Sequence, residues 1–231
     1  MMEIIYSPAW FHGNDVVIDI IGALVLFLIA FFSIKYYRIN TKNKNYLFLA
    51  SSFLLIGLSF LSKILTNFTY YYEVEETRHL GFMTFTYETL HSTNTLFILG
   101  FLFYRILTLL GLYVLYSLHS KQPKSNVFII FYLLIVLTYF SQSAYYIFYI
   151  TSFLLLIFIS SSYFLNSKKT KHYTAKLLAF SFAIITASQL VFIFVKINPI
   201  LYVIAQLIQL VGYVLMLITF TLVLKHGQKT K

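Results

Sequence analysis

No cysteine occurs among the 231 residues of this chain, which removes disulfides, thiolate metal sites and cysteine nucleophiles together. Charge is nearly as scarce. Asp, Glu, Lys and Arg make up 10% of the sequence, against roughly 25% in a typical soluble domain. The 3 prolines, Pro8, Pro123 and Pro199, fall outside the interiors of the apolar stretches, so no long helix is built around a proline hinge. What fills the chain instead is 60% hydrophobic residues, with 20% aromatic. That composition belongs in lipid, and no polar block is long enough to fold by itself. Residues 1–231 are therefore expected to form one transmembrane domain.

The apolar stretches fall into seven groups, at about 16–34, 46–68, 93–118, 127–140, 144–165, 173–195 and 199–224. Most approach the roughly 20 residues that cross a bilayer as helix, and the fourth is short. Residues 127 to 165 are too many for one crossing, so the polar break Ser141-Gln142-Ser143 is expected to be a tight turn between two helices. The predicted fold class is all-α: a polytopic seven-transmembrane-helix bundle. The long polar segment from Thr69 to Ser92, rich in aromatic and acidic residues, is expected to form an interfacial helix or cap over one end of the bundle.

Charge placement sets a direction. With the N-terminus outside, the cytoplasmic segments would hold Lys35, Arg38, Lys42, Lys44, Lys121, Lys124, Lys168, Lys169, Lys171, Lys176, Lys225, Lys229 and Lys231, thirteen of the 17 basic residues. The acidic residues Glu3, Asp15, Asp19, Glu73, Glu75, Glu76 and Glu88 fall at or near the other side. Basic excess in short loops orients helices during insertion, so the N-terminus is expected outside and the C-terminus in the cytoplasm. Merging the fourth and fifth helices would put the lysines of NSKKTKHY outside, against that rule. The net charge of +10 is explained by loops meeting anionic lipid heads, without a nucleic acid. A multi-pass protein of the cell membrane is expected, and the first stretch, lacking a small-residue cleavage site, should remain as an anchor.

The polar residues inside the stretches are unevenly spread. Asp15 and Asp19 lie four apart near the outer end of the first helix, and Lys63 near the outer end of the second. Arg105 interrupts FILGFLFYRILTLLGLYVLY in the third. Gln189 in the sixth helix and Gln206 and Gln209 in the seventh complete an outer-half polar set, whereas the inner halves hold mostly hydroxyl and small residues. A cation at such depth costs a few kcal/mol unless it faces the bundle and is paired. Arg105 is therefore expected to pair with Asp19 or to bond the amides of Gln189, Gln206 and Gln209, the alternative being a side chain that snorkels past lipid to the headgroups. These seven residues are the candidate ligand site or polar core. Tyr202, Gln206, Gln209, Tyr213 and Met216, at spacings of three and four, make one stripe on the seventh helix, and Gly100, Tyr104, Thr108 and Gly111 another on the third.

The enzyme classes lack their residues. All six histidines lie in loops or at helix ends, so none pair within the membrane to hold haem or zinc. No G-x-S-x-G and no phosphate-binding glycine loop occurs. The seventh helix has no embedded lysine for a retinal Schiff base, its first being Lys225. No cofactor or metal is expected. The reading that remains is a non-enzymatic sensor-like or scaffolding membrane protein with an outward-facing polar pocket. Its partners would be the bilayer and a second protein chain, met through the helices or the basic loop Lys168–Lys176. The alternative is a small-solute transporter or channel subunit. A carrier needs discontinuous helices or polar groups on both sides of its site, and these helices carry neither proline breaks nor an inner polar set.

Overall fold

The structure, a computed structural model, describes residues 7–39, 41, 43–71, 76–80, 83–87, 90–118, 124–141, 144–170 and 173–229. Seven helices lie over the seven apolar stretches: α1 (Asn14–Ile39), α2 (Asn45–Tyr71), α3 (Leu90–Ser117), α4 (Lys124–Phe140), α5 (Tyr146–Thr170), α6 (Tyr173–Ile193) and α7 (Ile200–Lys229). Among the described residues six helices are long and apolar enough to cross a membrane, whereas α4 has 17 residues and reaches only about 26 Å. Large side chains such as Phe31, Leu65 and Tyr139 point outward from the bundle, as expected where the surrounding solvent is lipid.

The segment between α2 and α3 corrects one expectation. In place of an interfacial helix it forms an antiparallel hairpin, β1 (Glu76–Leu80) against β2 (Met83–Tyr87), with Glu76 opposite Tyr87 and Leu80 opposite Met83. Thr77, Thr84, Phe85, Thr86 and Tyr87 are β-branched or aromatic and favour a pleated strand. Composition alone, which shows only an aromatic and acidic mixture, does not carry that distinction.

Successive helices pack antiparallel. Asp19 near the start of α1 meets Lys63 late in α2, Ser62 meets Gly100 between α2 and α3, and Ser160 meets Ala179 between α5 and α6. The parallel neighbours α1 and α7 are joined through Asp15 and Tyr202. α3 and α5 are joined through the ring pairs Tyr104–Phe148 and Tyr116–Phe158. α4 sits at the edge of the bundle, where Leu134 packs into a cluster with Leu109 and Tyr113 of α3 and Phe148 of α5.

The largest apolar core fills the middle and the basic end of the bundle. It joins Leu26 and Ile29 of α1, Phe53 and Ile56 of α2, Leu115 of α3, Ile159 of α5, Phe182 of α6 and Met216 of α7. Lipid is as apolar as these side chains, so cohesion here must come from closeness of fit rather than from expelling water. The glycines supply that closeness. A Cβ on Gly111 would stand 2.9 Å from the Ser52 carbonyl oxygen of α2, and one on Gly212 would stand 3.3 Å from the Ser181 carbonyl oxygen of α6. The stripe of α3 faces α2, and Thr108 donates to Ser59 Oγ at 2.8 Å beside Gly111.

Gly111→Ala should accordingly force α2 and α3 apart and cost about 1–3 kcal/mol, the range for overpacking. Gly57→Ala, whose Cβ would first meet the rotatable Phe27 ring at 3.0 Å, should cost less. Melting of the two variants in detergent checks the order. Equal melting of Gly111→Ala and wild type would show that this contact is not tight.

Candidate functional site

All seven candidate residues are buried, and they divide into three groups rather than one. The first is an ion pair. Lys63 Nζ lies 3.0 Å from Asp19 Oδ1, with hydrogen-bond geometry, and 2.9 Å from Oδ2, close enough for ionic attraction without a hydrogen-bond angle. Asp19 is 0% exposed and Lys63 7%. Three aromatic faces, those of Phe60, Tyr104 and Tyr202, surround the ammonium at 5.8 to 6.0 Å from their centroids. A cation enclosed in this way gains from the ring quadrupoles as well as from its counter-ion.

Asp15, one helical turn before Asp19, anchors the start of α1. Its Oδ1 accepts from the backbone N–H of Gly13 at 3.1 Å and of Val16 at 2.9 Å. A carboxylate there also answers the positive end of the helix dipole. Tyr202 donates weakly to Asp15 Oδ2 at 3.4 Å, and Gln206 Nε2 donates to the Tyr202 hydroxyl at 3.1 Å. The Gln206 Oε1 is fully buried with no hydrogen-bond partner among the described residues. The spacing of four between Tyr202 and Gln206 is what turns both side chains towards α1.

The second group corrects the expected partner of Arg105. Asp19 is held by Lys63, and Arg105 reaches the turn between α4 and α5. One of its terminal nitrogens donates to the Ser141 carbonyl at 2.6 Å and to Ser141 Oγ at 3.0 Å. Ser141 Oγ in turn donates to the Thr138 carbonyl at 2.6 Å. The rings of Phe101 and Phe148 each lie 5.9 Å from the guanidinium carbon. Tyr104 and Phe148, in contact at 5.4 Å, stand between this cation and Lys63. Sequence reading recognised the break at Ser141 but not its need for a donor. The signal was the shortness of the fourth apolar stretch, which brings the turn down into the apolar layer.

The third group lies under the ion pair. Gln189 and Gln209, with Tyr104, Thr108 and Tyr213, line a cavity of about 30 Å³ whose other walls are core residues such as Phe60 and Ile185. Gln209 Nε2 donates to the Tyr213 hydroxyl at 3.0 Å, while Gln189 Nε2 makes only a long contact with its neighbour Ser188 at 3.3 Å. The volume suits one or two waters, which need polar partners of this kind. It is too small for an organic ligand in this conformation. None of the three groups includes Lys196, whose ammonium sits over the Tyr145 ring near the start of α5.

The fold and these buried groups together describe a multi-pass helical membrane protein with charged side chains locked inside one half of its bundle. Comparisons of the chain with protein-family models, with curated proteins and with solved structures give no match.

Proposed function

We propose that this chain is a non-enzymatic seven-helix protein of the cell membrane, N-terminus outside and C-terminus cytoplasmic, that senses a small charged solute reaching its outer half. It would pass the signal to a second protein chain through its helices or through the basic loop Lys168–Lys176. The observation that carries the reading is the Asp19–Lys63 pair, closed over by Tyr202 of α7. Ionisable groups inside a membrane mark function by default. This pair joins α1 to α2 beneath a third helix, so a competing ion would loosen three helices at once. A switch needs such a two-state element, biased by a local change in charge.

One feature of the bundle favours the transporter alternative: the cavity beneath the pair extends its polar region towards the bundle centre. Against that stands the apolar core from Leu26 to Met216, which fills the path to the basic end. The two readings are separated by one pair of measurements on purified protein. A panel of small organic ammonium and carboxylate solutes should contain at least one that shifts the melting temperature of wild type by about 2–4 °C. That shift should vanish in Asp19→Leu/Lys63→Met. Proteoliposomes should pass the same solute no faster than empty vesicles. Measurable flux would replace the sensor by the transporter, and a panel with neither shift nor flux would leave only a scaffolding role.

A further inference from the structure

The ammonium of Lys63 occupies a cage drawn from four helices. Asp19 of α1 supplies the counter-charge, and Phe60 of α2, Tyr104 of α3 and Tyr202 of α7 supply the walls. Phe60 and Tyr104 stand at right angles to each other, as two sides of a box do. The box is larger than its occupant. Carbon atoms in contact lie about 3.5–4.0 Å apart, and a methyl on nitrogen reaches out by about 1.5 Å. Ring centroids at 5.8 to 6.0 Å are therefore set to touch N-methyl groups, and the hydrogens of a primary ammonium fall short of them. Phe60 and Tyr104 also wall the cavity beneath, so further space adjoins the cage on that side. Lys63 has somewhere else to go. The polar and aromatic end of α2, Asn67 to Tyr71, begins four residues beyond it, about 6 Å, which is within reach of a lysine stem. Asp19 has no such reach, being 0% exposed on a short side chain.

We propose that this cage is a binding site for a small methylated ammonium ion, which takes the place of the Lys63 ammonium against Asp19 and the three rings. The site is that of the sensor reading, on which this inference rests, and its solute is now a cation rather than an ion of either sign. An anion competing for Lys63 would have to lie against three ring faces, which carry the negative side of the aromatic quadrupole, with Asp15 one helical turn from Asp19. A cation gains from those same faces, which is how aromatic cages recognise quaternary ammonium ions. Tyr202 lies in the first turn of α7, and its hydroxyl is held to Asp15 only at 3.4 Å, so it is the wall that opens most readily to the outer side. Lys63 is then a built-in competitor. Its release towards the outer end of α2 would unfasten α2 from α1, which is the change of state that a switch requires.

Labelling of Lys63 tests the exchange. The full chain in detergent is treated with a water-soluble, amine-reactive ester and read by peptide mass spectrometry, with ionic strength held constant by sodium chloride. Tens of millimolar tetramethylammonium, which has no N–H to react, should raise modification of Lys63 about fivefold while leaving exposed Lys168 unchanged. tert-Butanol, its neutral counterpart in shape, and sodium propionate should raise neither. The melting temperature should not fall, which separates exchange from unfolding. Lys63→Ala removes the internal competitor, so it should bind tetramethylammonium about tenfold more tightly than wild type, read as the concentration that gives half the rise in melting temperature. The wild-type labelling decides the matter if that variant does not fold. Lys63 modification unchanged by tetramethylammonium, or raised equally by tert-butanol, would overturn the proposal. Release of Lys63 by propionate alone would also overturn it, and would leave the sensor reading standing with an anion as its solute. Release by tetramethylammonium together with flux of that ion through proteoliposomes would keep the site and overturn the sensor reading instead.

Discussion

Lys63→Met should lower the stability of the detergent-solubilised protein by about 3–5 kcal/mol, the largest effect expected of any single substitution in this chain. The cost comes from what is left behind. Asp19 is 0% exposed, and Lys63 is the cation that holds it. With methionine in place, its carboxylate would be buried without a counter-ion and the three aromatic faces would lose the charge they enclose. Neutral hydrogen bonds between membrane helices are worth under about 1 kcal/mol on average, partly because the separated helices find other partners, so an effect of this size could not come from hydrogen bonding alone. Asp19→Asn should cost less, because the amide oxygen still accepts from Lys63 Nζ. The double variant Asp19→Leu/Lys63→Met should recover most of the loss, since replacing both charges removes the desolvation penalty with the attraction. Thermal unfolding of wild type, Lys63→Met, Asp19→Leu and the double variant closes the cycle and gives the coupling directly. If Lys63→Met melts with wild type, the pair is not the lock between α1 and α2.

The sequence disclosed the helices more fully than their partners, and the reason is physical. Seven apolar stretches and the one-sided lysines follow from the demands of lipid on every residue, so they survive in a linear reading. The stripe Tyr202, Gln206, Gln209 and Tyr213 also survives, because helical periodicity converts spacing into a face. Which cation meets Asp19 is different: both Lys63 and Arg105 were near enough in depth, and depth is all that sequence position gives. The choice depends on rotation about the helix axes. That rotation is fixed by the close approaches at Gly100 and Gly111, where α3 turns Tyr104 rather than Arg105 towards the pair. The expected single polar pocket therefore separates into three groups around an aromatic layer. The hairpin of β1 and β2 was hidden for another reason: strands outside the membrane carry a period-two pattern over five residues only, too short to stand out against a mixed composition.

Arg105 itself answers to the shortness of α4. The apolar run of α3 begins at Leu96, so Arg105 lies about 14 Å inside it. α4 ends at Phe140, and the turn that follows comes to the depth of Arg105, as the bond to Ser141 shows. Non-helical backbone at that depth must find its hydrogen bonds inside the protein, because lipid offers none. The guanidinium supplies them: it donates to the Ser141 carbonyl at 2.6 Å while Phe101 and Phe148 shield it. Arg105→Leu should therefore destabilise the protein by about 2–3 kcal/mol, the worth of a charged hydrogen bond to a buried carbonyl. The gain from replacing a membrane cation by leucine opposes this only where the arginine faces lipid, and Arg105 is 8% exposed. Arg105→Lys, which keeps a charged donor, should recover part of the loss. The damage should also be local, with hydrogen exchange rising at residues 137–145 before the Asp19–Lys63 pair loosens. Should Arg105→Leu melt at or above the wild-type temperature, or open α1 and α2 first, the arginine is not what holds the α4–α5 turn within the membrane.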